Sequence, residues 1–106
     1  MSVNHPDRVF QALGSLPRRQ ILAFLGQTAL STADLARRFG MSAPAVSRHL
    51  SVLQRAGLVS AERQGQRVLY RLKRDVLLDA LARFASELDG PLRRGPPPPR
   101  APREAI

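Results

Sequence analysis

The chain has 106 residues, of which 17 are Lys or Arg and 8 are Asp or Glu, so its formal net charge at pH 7 is +9. It contains no Cys, which excludes disulfide bonds and thiolate metal ligands. No apolar run approaches the roughly 18 residues of a membrane span, and the opening MSVNHPDRVF lacks the apolar stretch of a secretory signal. We therefore expect an intracellular, cytoplasmic protein.

The composition divides the chain into two segments. Residues 1–90 mix apolar and charged residues as one folded domain does, at a length where a single core is marginal and pairing with a second copy helps. Residues 91–106 read PLRRGPPPPRAPREAI. Because proline lacks a backbone donor, this segment is predicted to be a disordered Pro/Arg-rich tail.

Two helices are expected near the start of the domain. Residues 7–13 place Val9, Phe10 and Leu13 at helical spacing. Ser15 suits the N-cap of a second helix that has Pro17 in its first turn. That helix would bury Ile21, Leu22 and Leu25.

A helix-turn-helix pattern follows in residues 31–57. Ser31 and Asp34 have the spacing of a capping box, and Gly40 suits the left-handed residue that ends a helix. Ser42 then caps a fourth helix with an apolar stripe of Val46, Leu50 and Leu53, ended by Gly57.

From residue 58 the apolar period changes from helical to alternating. Gly65 lies in a turn, and the strand after it has one apolar and one basic face: Val68, Tyr70 and Leu72 against Arg67 and Arg71. Residues 75–89 return to a helical period, with the stripe Leu77, Leu81, Phe84 and Leu88. The predicted fold is mainly α with a small β-hairpin, a winged helix-turn-helix of five helices and a two-stranded wing.

Most of the positive charge lies in one segment. Residues 37–74 hold nine basic residues and one acid, Glu62, which gives +8. The first 36 residues contribute +1, and residues 75–106 contribute zero. Binding of a polyanion is the simplest explanation of this asymmetry.

The sequence offers no catalytic constellation. His49 follows Ser47 by two residues, and on a helix these side chains point about 200° apart, which excludes a nucleophile–base pair. There is no Gly-rich phosphate loop and no evident pair of catalytic carboxylates. We therefore predict no enzyme, no cofactor and no metal site.

The fourth helix has a polar outward face that suits contact with DNA. Small residues at its start let the backbone approach base edges, serine hydroxyls serve bases or phosphates, and Arg48 can donate to guanine or to the backbone. A solvated helix face is the competing interpretation, and His49 either donates to a phosphate or covers the junction between helices three and four. The predicted contact residues are Ser42, Ala43, Pro44, Ser47, Arg48, His49 and Ser51.

The hairpin tip is also basic and polar. It is predicted to contact the DNA backbone or the minor groove, although an ordinary polar turn has the same composition. The arginines at the end of the third helix would contact phosphates or nothing at all. These wing and flanking residues are Arg37, Arg38, Arg63, Gln64, Gln66 and Arg67.

Residues 8–88 resemble the ArsR/SmtB family of bacterial winged-helix regulators. RVFQALGSLPRRQILAFL is similar to the family's opening helices, LSTADLARRFGMSAPAVSRHLSVLQRAGLV to its recognition core, and RQGQRVLYRL to its wing. The resemblance implies a homodimer formed by the first and last helices, with two recognition helices on an inverted-repeat operator. The expected dimer residues are Val9, Phe10, Leu77, Leu81 and Phe84, for each of which packing within one subunit is the alternative.

The chain departs from this family in its potential for metal sensing. Many members hold a metal through Cys in the third helix or through Asp and His in the last helix, where this chain reads ALSTADLARR and RDVLLDALARFASELDG. Metal sensing is therefore not carried over. The remaining signal, if one exists, is a small molecule, a partner protein or the regulator's own concentration.

Two functions follow from these features. The first is a dimeric transcriptional regulator, by family habit a repressor, although an activator would use the same DNA-binding residues. The alternative is a winged-helix protein–protein interaction module that recruits a partner through its Pro-rich tail.

Overall fold

The computed structural model describes residues 6–89. This part of the chain forms five helices and a three-stranded antiparallel sheet: α1 (Pro6–Leu13), α2 (Leu16–Leu25), β1 (Leu30–Ser31), α3 (Thr32–Phe39), α4 (Ala43–Arg55), β2 (Val59–Gln64), β3 (Arg67–Leu72) and α5 (Arg74–Asp89). The predicted disordered tail at 91–106 lies outside the described residues. No helix within residues 6–89 is long and apolar enough to cross a bilayer.

Serine side chains cap the first turns of α2, α3 and α4, as the sequence predicts. The hydroxyl oxygens of Ser15, Ser31 and Ser42 accept hydrogen bonds from backbone N–H groups three residues later, at 3.4, 3.1 and 3.2 Å. At α3 the capping box is complete, because the carboxylate of Asp34 accepts from the Ser31 N–H at 3.0 Å. These caps satisfy donors that a helix start otherwise leaves unpaired.

The wing is a hairpin with a third, very short strand beside it. Strands β2 and β3 pair from Val59↔Leu72 to Gln64↔Arg67, and β1 pairs with β3 at Leu30↔Tyr70 and Ser31↔Leu69. The prediction of a two-stranded wing is thus extended by one strand. Two residues are too few to show an alternating period, so the sequence pattern gave no sign of β1.

The aliphatic stripes predicted for α2 and α4 meet in one core together with Leu35 of α3. The largest side chains that are fully buried come from these helices and from the start of the wing: Ile21, Leu35, Val46, Leu50, Leu53 and Leu58. The last helix adds only Ala80 to the buried set. Most of the apolar stripe of α5 therefore remains outside this core.

Two arginines of α2 bind the carboxyl end of α1. Arg18 donates from Nε to the carbonyl oxygen of Ala12 at 2.8 Å and from Nη2 to that of Gln11 at 3.1 Å. Arg19 donates from Nη1 to the carbonyl oxygen of Leu13 at 2.6 Å. The last carbonyls of a helix lack partners within it and carry partial negative charge, so the guanidinium groups stabilise this end and join α1 to α2.

Candidate nucleic-acid interface

The exposed start of α4 follows a tight turn. Gly40 ends α3 with φ +65°, a conformation that is cheap only for glycine, and Ser42 caps α4 two residues later. Pro44 lies in the first turn of α4, where its missing N–H costs no helical hydrogen bond. Three residues therefore join α3 to α4, and the amino end of α4 is exposed at residues 42–44.

The outward face of α4 is the one that the sequence predicts. Val46, Leu50 and Leu53 are buried, which turns the opposite side of the helix to solvent. The exposed residues on that side are Ser42, Ala43, Pro44, Ser47, Arg48 and Ser51. They combine a small, closely approachable helix start with hydroxyl donors and one guanidinium group.

His49 differs from its neighbours because its ring is half-buried. Burial is the main cause that lowers the pKa of His49 below 6.5, and the charges of Arg18 and Arg48 lower it further. Near neutral pH the imidazole is therefore uncharged and has one N–H to donate. A phosphate contact by His49 stays a prediction.

The wing tip carries three exposed polar side chains around Gly65: Arg63, Gln64 and Gln66. Gly65 has φ +64°, and no other residue of the two-residue loop has a positive φ, as in a type II′ turn. This turn lets the strands follow their natural twist and presents the tip side chains to solvent.

The other basic residues of the interface have partners within the chain. Arg67 donates from Nη2 to Asp34 Oδ2 at 2.7 Å and to the Ser31 hydroxyl at 3.3 Å. Arg37 donates to Asp34 Oδ1 at 2.6 Å. The guanidinium of Arg38 lies 5.4 Å from the centre of the Phe24 ring, in cation–π geometry.

The sequence prediction missed Asp34 as the residue that holds two of these arginines. Its backbone hydrogen bond from Ser31 is the main cause that lowers the pKa of Asp34 below 3.8, with smaller contributions from the Ser31 side chain and from the charges of Arg67 and Arg37. The Arg37 pair could have been found from its i,i+3 spacing. The Arg67 pair could not, because 33 residues separate the two side chains.

A second surface of interest is the apolar face of α5. Exposed fractions are 55% for Leu78, 41% for Leu81, 49% for Phe84 and 54% for Leu88. Phe84 also packs edge-on against Phe10 of α1, with ring centres 5.6 Å apart. Four large apolar side chains that remain half exposed along one helix form a surface that typically binds a partner.

The predicted dimer residues divide between this face and the core. Leu81 and Phe84 are exposed, and Phe10 is half-buried against Phe84. Val9 is only 5% exposed and belongs to the core, which corrects its expected place at the interface. Leu77 is partly buried and packs against the same core. Leu78 was missed, because the i,i+4 stripe drawn from Leu77 passes beside it.

No group of three His, Cys, Asp or Glu side chains that could hold a metal ion occurs within residues 6–89. In α5, the carboxylate of Asp79 accepts a hydrogen bond from Arg83 Nε at 2.9 Å, one turn away along the helix. This is the surface ion pair that the spacing of the two residues favours.

These elements together define a class of protein. Two capped helices joined by a left-handed glycine turn, a second helix whose amino end is exposed and polar, and a basic hairpin are the components of a winged helix-turn-helix DNA-binding domain.

Comparison with known proteins specifies the family. Residues 17–61 match the family model described as bacterial regulatory protein, arsR family. The transcriptional repressor SdpR of Bacillus subtilis (strain 168) is 36% identical over 75 residues, which cover 71% of this chain and 83% of SdpR. Two regulators of Mycobacterium tuberculosis are 38% and 45% identical, and the chain spans 65% and 63% of their lengths. The chain belongs to the ArsR family of bacterial regulatory proteins.

Solved structures agree with this assignment. An ArsR-like transcriptional regulator from Rhodococcus sp. RHA1 superposes with a TM-score of 0.71 at 34% identity, covering 79% of this chain and 82% of that one. The homodimeric winged helix-turn-helix DNA-binding domain Mb0332 of Mycobacterium bovis gives a TM-score of 0.66 at 33% identity, covering 84% of each chain. The predicted fold class is thus confirmed, and the protein is a DNA-binding transcriptional regulator of this family.

Proposed function

We propose that this regulator binds an inverted-repeat operator as a homodimer, with the α4 helix of each subunit in a major groove. The observation that carries the proposal is the uncovered amino end of α4, where the exposed Arg48 lies on the same face as small and hydroxyl-bearing residues. A helix of this composition fits the major groove and can read base edges there.

The division of labour between helix and wing follows from the exposed side chains. Arg48 and the serines of α4 would read bases and the nearest phosphates, while Arg63, Gln64 and Gln66 at the wing tip would contact the neighbouring backbone or minor groove. Arg38 would contact a phosphate while its guanidinium group stays on the Phe24 ring. We assign it the weaker, non-specific part of the binding.

The two subunits would meet through α1 and α5. Phe10, Leu81 and Phe84 form the centre of this interface, and the exposed Leu78 and Leu88 extend it along α5. Burying these side chains against a second copy removes apolar surface from water, which is the main favourable term in protein association. It also fixes the distance between the two α4 helices, which an inverted repeat requires.

We further propose that the protein is a repressor that acts in the cytoplasm, where a bacterial chromosome lies, and that it binds DNA without catalysing a reaction. SdpR is named as a transcriptional repressor, and it supports this direction of regulation. An effector, if one exists, would be a small molecule or a partner protein. A reporter gene behind the bound promoter distinguishes repression from activation. Deleting a repressor should raise expression of the reporter, whereas deleting an activator should lower it.

The experiment that tests DNA reading compares Arg48→Ala with Arg55→Ala on duplexes. Both residues are exposed arginines of α4, so the two variants lose the same charge from the same helix. The duplexes are an operator selected from a random library and a scrambled version of it. Arg48→Ala should weaken operator binding by about 1–3 kcal/mol more than scrambled binding. Arg55→Ala, near the carboxyl end of α4, should leave this difference unchanged.

Salt dependence separates this function from a protein–protein docking module. A complex held by phosphate contacts loses affinity steeply as salt rises, because bound counterions are released on binding. Equal losses of Arg48→Ala on both duplexes would reduce Arg48 to a phosphate contact. A wild-type protein that preferred no duplex, or whose binding did not weaken as salt rises, would refute the proposal.

A further inference from the structure

The wing is joined to α3, close to the tip of the hairpin, by a cluster of four polar side chains. The Asp34 cluster consists of Ser31, Asp34, Arg37 and Arg67. Asp34 Oδ2 accepts from the Ser31 N–H at 3.0 Å and from Arg67 Nη2 at 2.7 Å, and Oδ1 accepts from Arg37 Nη2 at 2.6 Å. One carboxylate in the first turn of α3 therefore binds a side chain of β3.

We propose that Asp34 is a positioning residue that holds the wing in its DNA-binding orientation, and that Arg67 acts through Asp34 rather than by contacting DNA. This inference rests on the proposed function, since it requires the wing to approach the operator. Arg67 is the first residue of β3, directly after the loop that contains Gly65. The contact with Asp34 therefore holds the hairpin close to its tip.

The wing needs such a contact because residues 63–67 at its tip are all exposed, whereas Tyr70 and Leu72 farther along β3 pack partly against the core. In β2 only Val59 is buried, and the residues from Ser60 to Gln64 are all exposed. The pairing of β1 with β3 involves Leu69 and Tyr70 and does not reach the outer end of the hairpin. Between that pairing and the tip, the ion pair from Arg67 to Asp34 ties the hairpin to α3.

The negative charge of Asp34 is unfavourable beside a surface that binds DNA. A carboxylate beside a DNA-binding surface repels phosphates and competes with them for arginines. Asp34 occupies two arginines in this way, and its side chain is 20% exposed whereas the guanidinium groups of Arg37 and Arg67 remain 72% and 60% exposed. If the acid only weakened binding, its removal would free both cations and tighten the complex.

The structure offers a matched control in Glu62. Glu62 is also an acid bound to an arginine of β3, with 3.2 Å from Arg71 Nε to its Oε1. Both partners of that pair lie within the hairpin, so it cannot fix the hairpin against a helix. Asp34→Ala and Glu62→Ala therefore remove the same charge, and only the first removes the link between the wing and α3.

The test measures operator affinity and wing motion for Asp34→Ala, Arg67→Ala, the double variant, Asp34→Glu and Glu62→Ala. Motion is read from ¹⁵N relaxation of the backbone amides of residues 63–67 in the free protein. We expect Asp34→Ala and Arg67→Ala each to lose about tenfold in operator affinity with more mobile wing amides. The double variant should bind the operator no more weakly than either single variant, because each substitution removes the same ion pair between Asp34 and Arg67.

Asp34→Glu should keep operator affinity within about threefold of wild type, since Glu retains the carboxylate and also completes a capping box. Glu62→Ala should bind as tightly as wild type or more tightly. The proposal is overturned if Asp34→Ala or Arg67→Ala leaves the wing amides as ordered as before, or if Asp34→Ala tightens operator binding. Arg67→Ala leaves the capping box intact, so its result stands even if Asp34→Ala fails to fold.

The two readouts also separate this inference from the proposed function. A wild-type protein that bound no duplex would refute the proposed function, while relaxation of the wing amides would still decide whether Asp34 holds the wing. Additive losses in the double variant, together with a salt slope that is smaller by about one for Arg67→Ala, would instead make Arg67 a direct phosphate contact.

Discussion

Replacing Leu81 with Ala should loosen the dimer by an amount that its exposure sets. Leu81 lies on α5 with 41% of its surface exposed in the single chain. Complete burial of a Leu side chain is worth about 1.5–3 kcal/mol, so covering this fraction gives about 0.6–1.2 kcal/mol per copy. A symmetric dimer contains two copies. The loss of about 1.2–2.4 kcal/mol raises the dissociation constant of the dimer by about 8- to 60-fold.

Sedimentation equilibrium over a dilution series measures this constant directly. Leu16→Ala is the matched control, because Leu16 is 57% exposed but lies on α2, outside the proposed interface. Circular dichroism checks that both variants fold. Operator affinity should fall with dimer stability, since a lone subunit reads one half-site only. A Leu81→Ala protein that dissociated no more readily than the Leu16→Ala protein would refute the α5 interface.

Three further changes have defined outcomes. Gly65→Ala places a residue with a Cβ at φ +64°, and because no atom lies within 4 Å of that Cβ, the cost is backbone strain alone. The free energy of unfolding in urea should fall by about 1–2 kcal/mol, and an unchanged midpoint would contradict the positive φ of this turn. Because folding lowers the pKa of His49, the stability that its uncharged ring contributes is complete above pH 6.5 and is lost as the pH falls through the lowered pKa. On acidification, the free energy of unfolding should therefore decrease less in His49→Gln than in wild type. Zinc, nickel or a chelator should change operator affinity by less than about threefold in a gel-shift titration, and a larger shift would reveal a metal site.

The helices could be predicted because their signals are local. Ser15, Ser31 and Ser42 each cap a helix within three residues of their own position, and Gly40 adopts the left-handed conformation that its place after α3 predicts. Apolar stripes with a period near 3.6 residues then show which face of each helix is buried. These two kinds of signal were sufficient for the fold class and for the exposed face of α4.

The missing features depend on contacts between distant residues. Strand β1 exists because Leu30 and Ser31 lie beside β3, and two residues have no period of their own. Arg67 meets Asp34 only after the hairpin has folded back on α3. The helical stripe of α5 likewise shows that one side is apolar, but only packing decides that Ala80 faces the core while Leu78 faces solvent.

The bond between α2 and the end of α1 has a mechanical consequence. Because Arg18 and Arg19 bind three carbonyl oxygens of α1, and only Gly14 and Ser15 separate the helices, a tilt of α1 would either break these hydrogen bonds or move α2 with it. Helix α2 in turn packs against α4. If the subunits meet through α1 and α5 as proposed, a rotation at their contact would be passed through α2 to α4. The spacing of the two α4 helices on DNA would then depend on how the two subunits pack against each other.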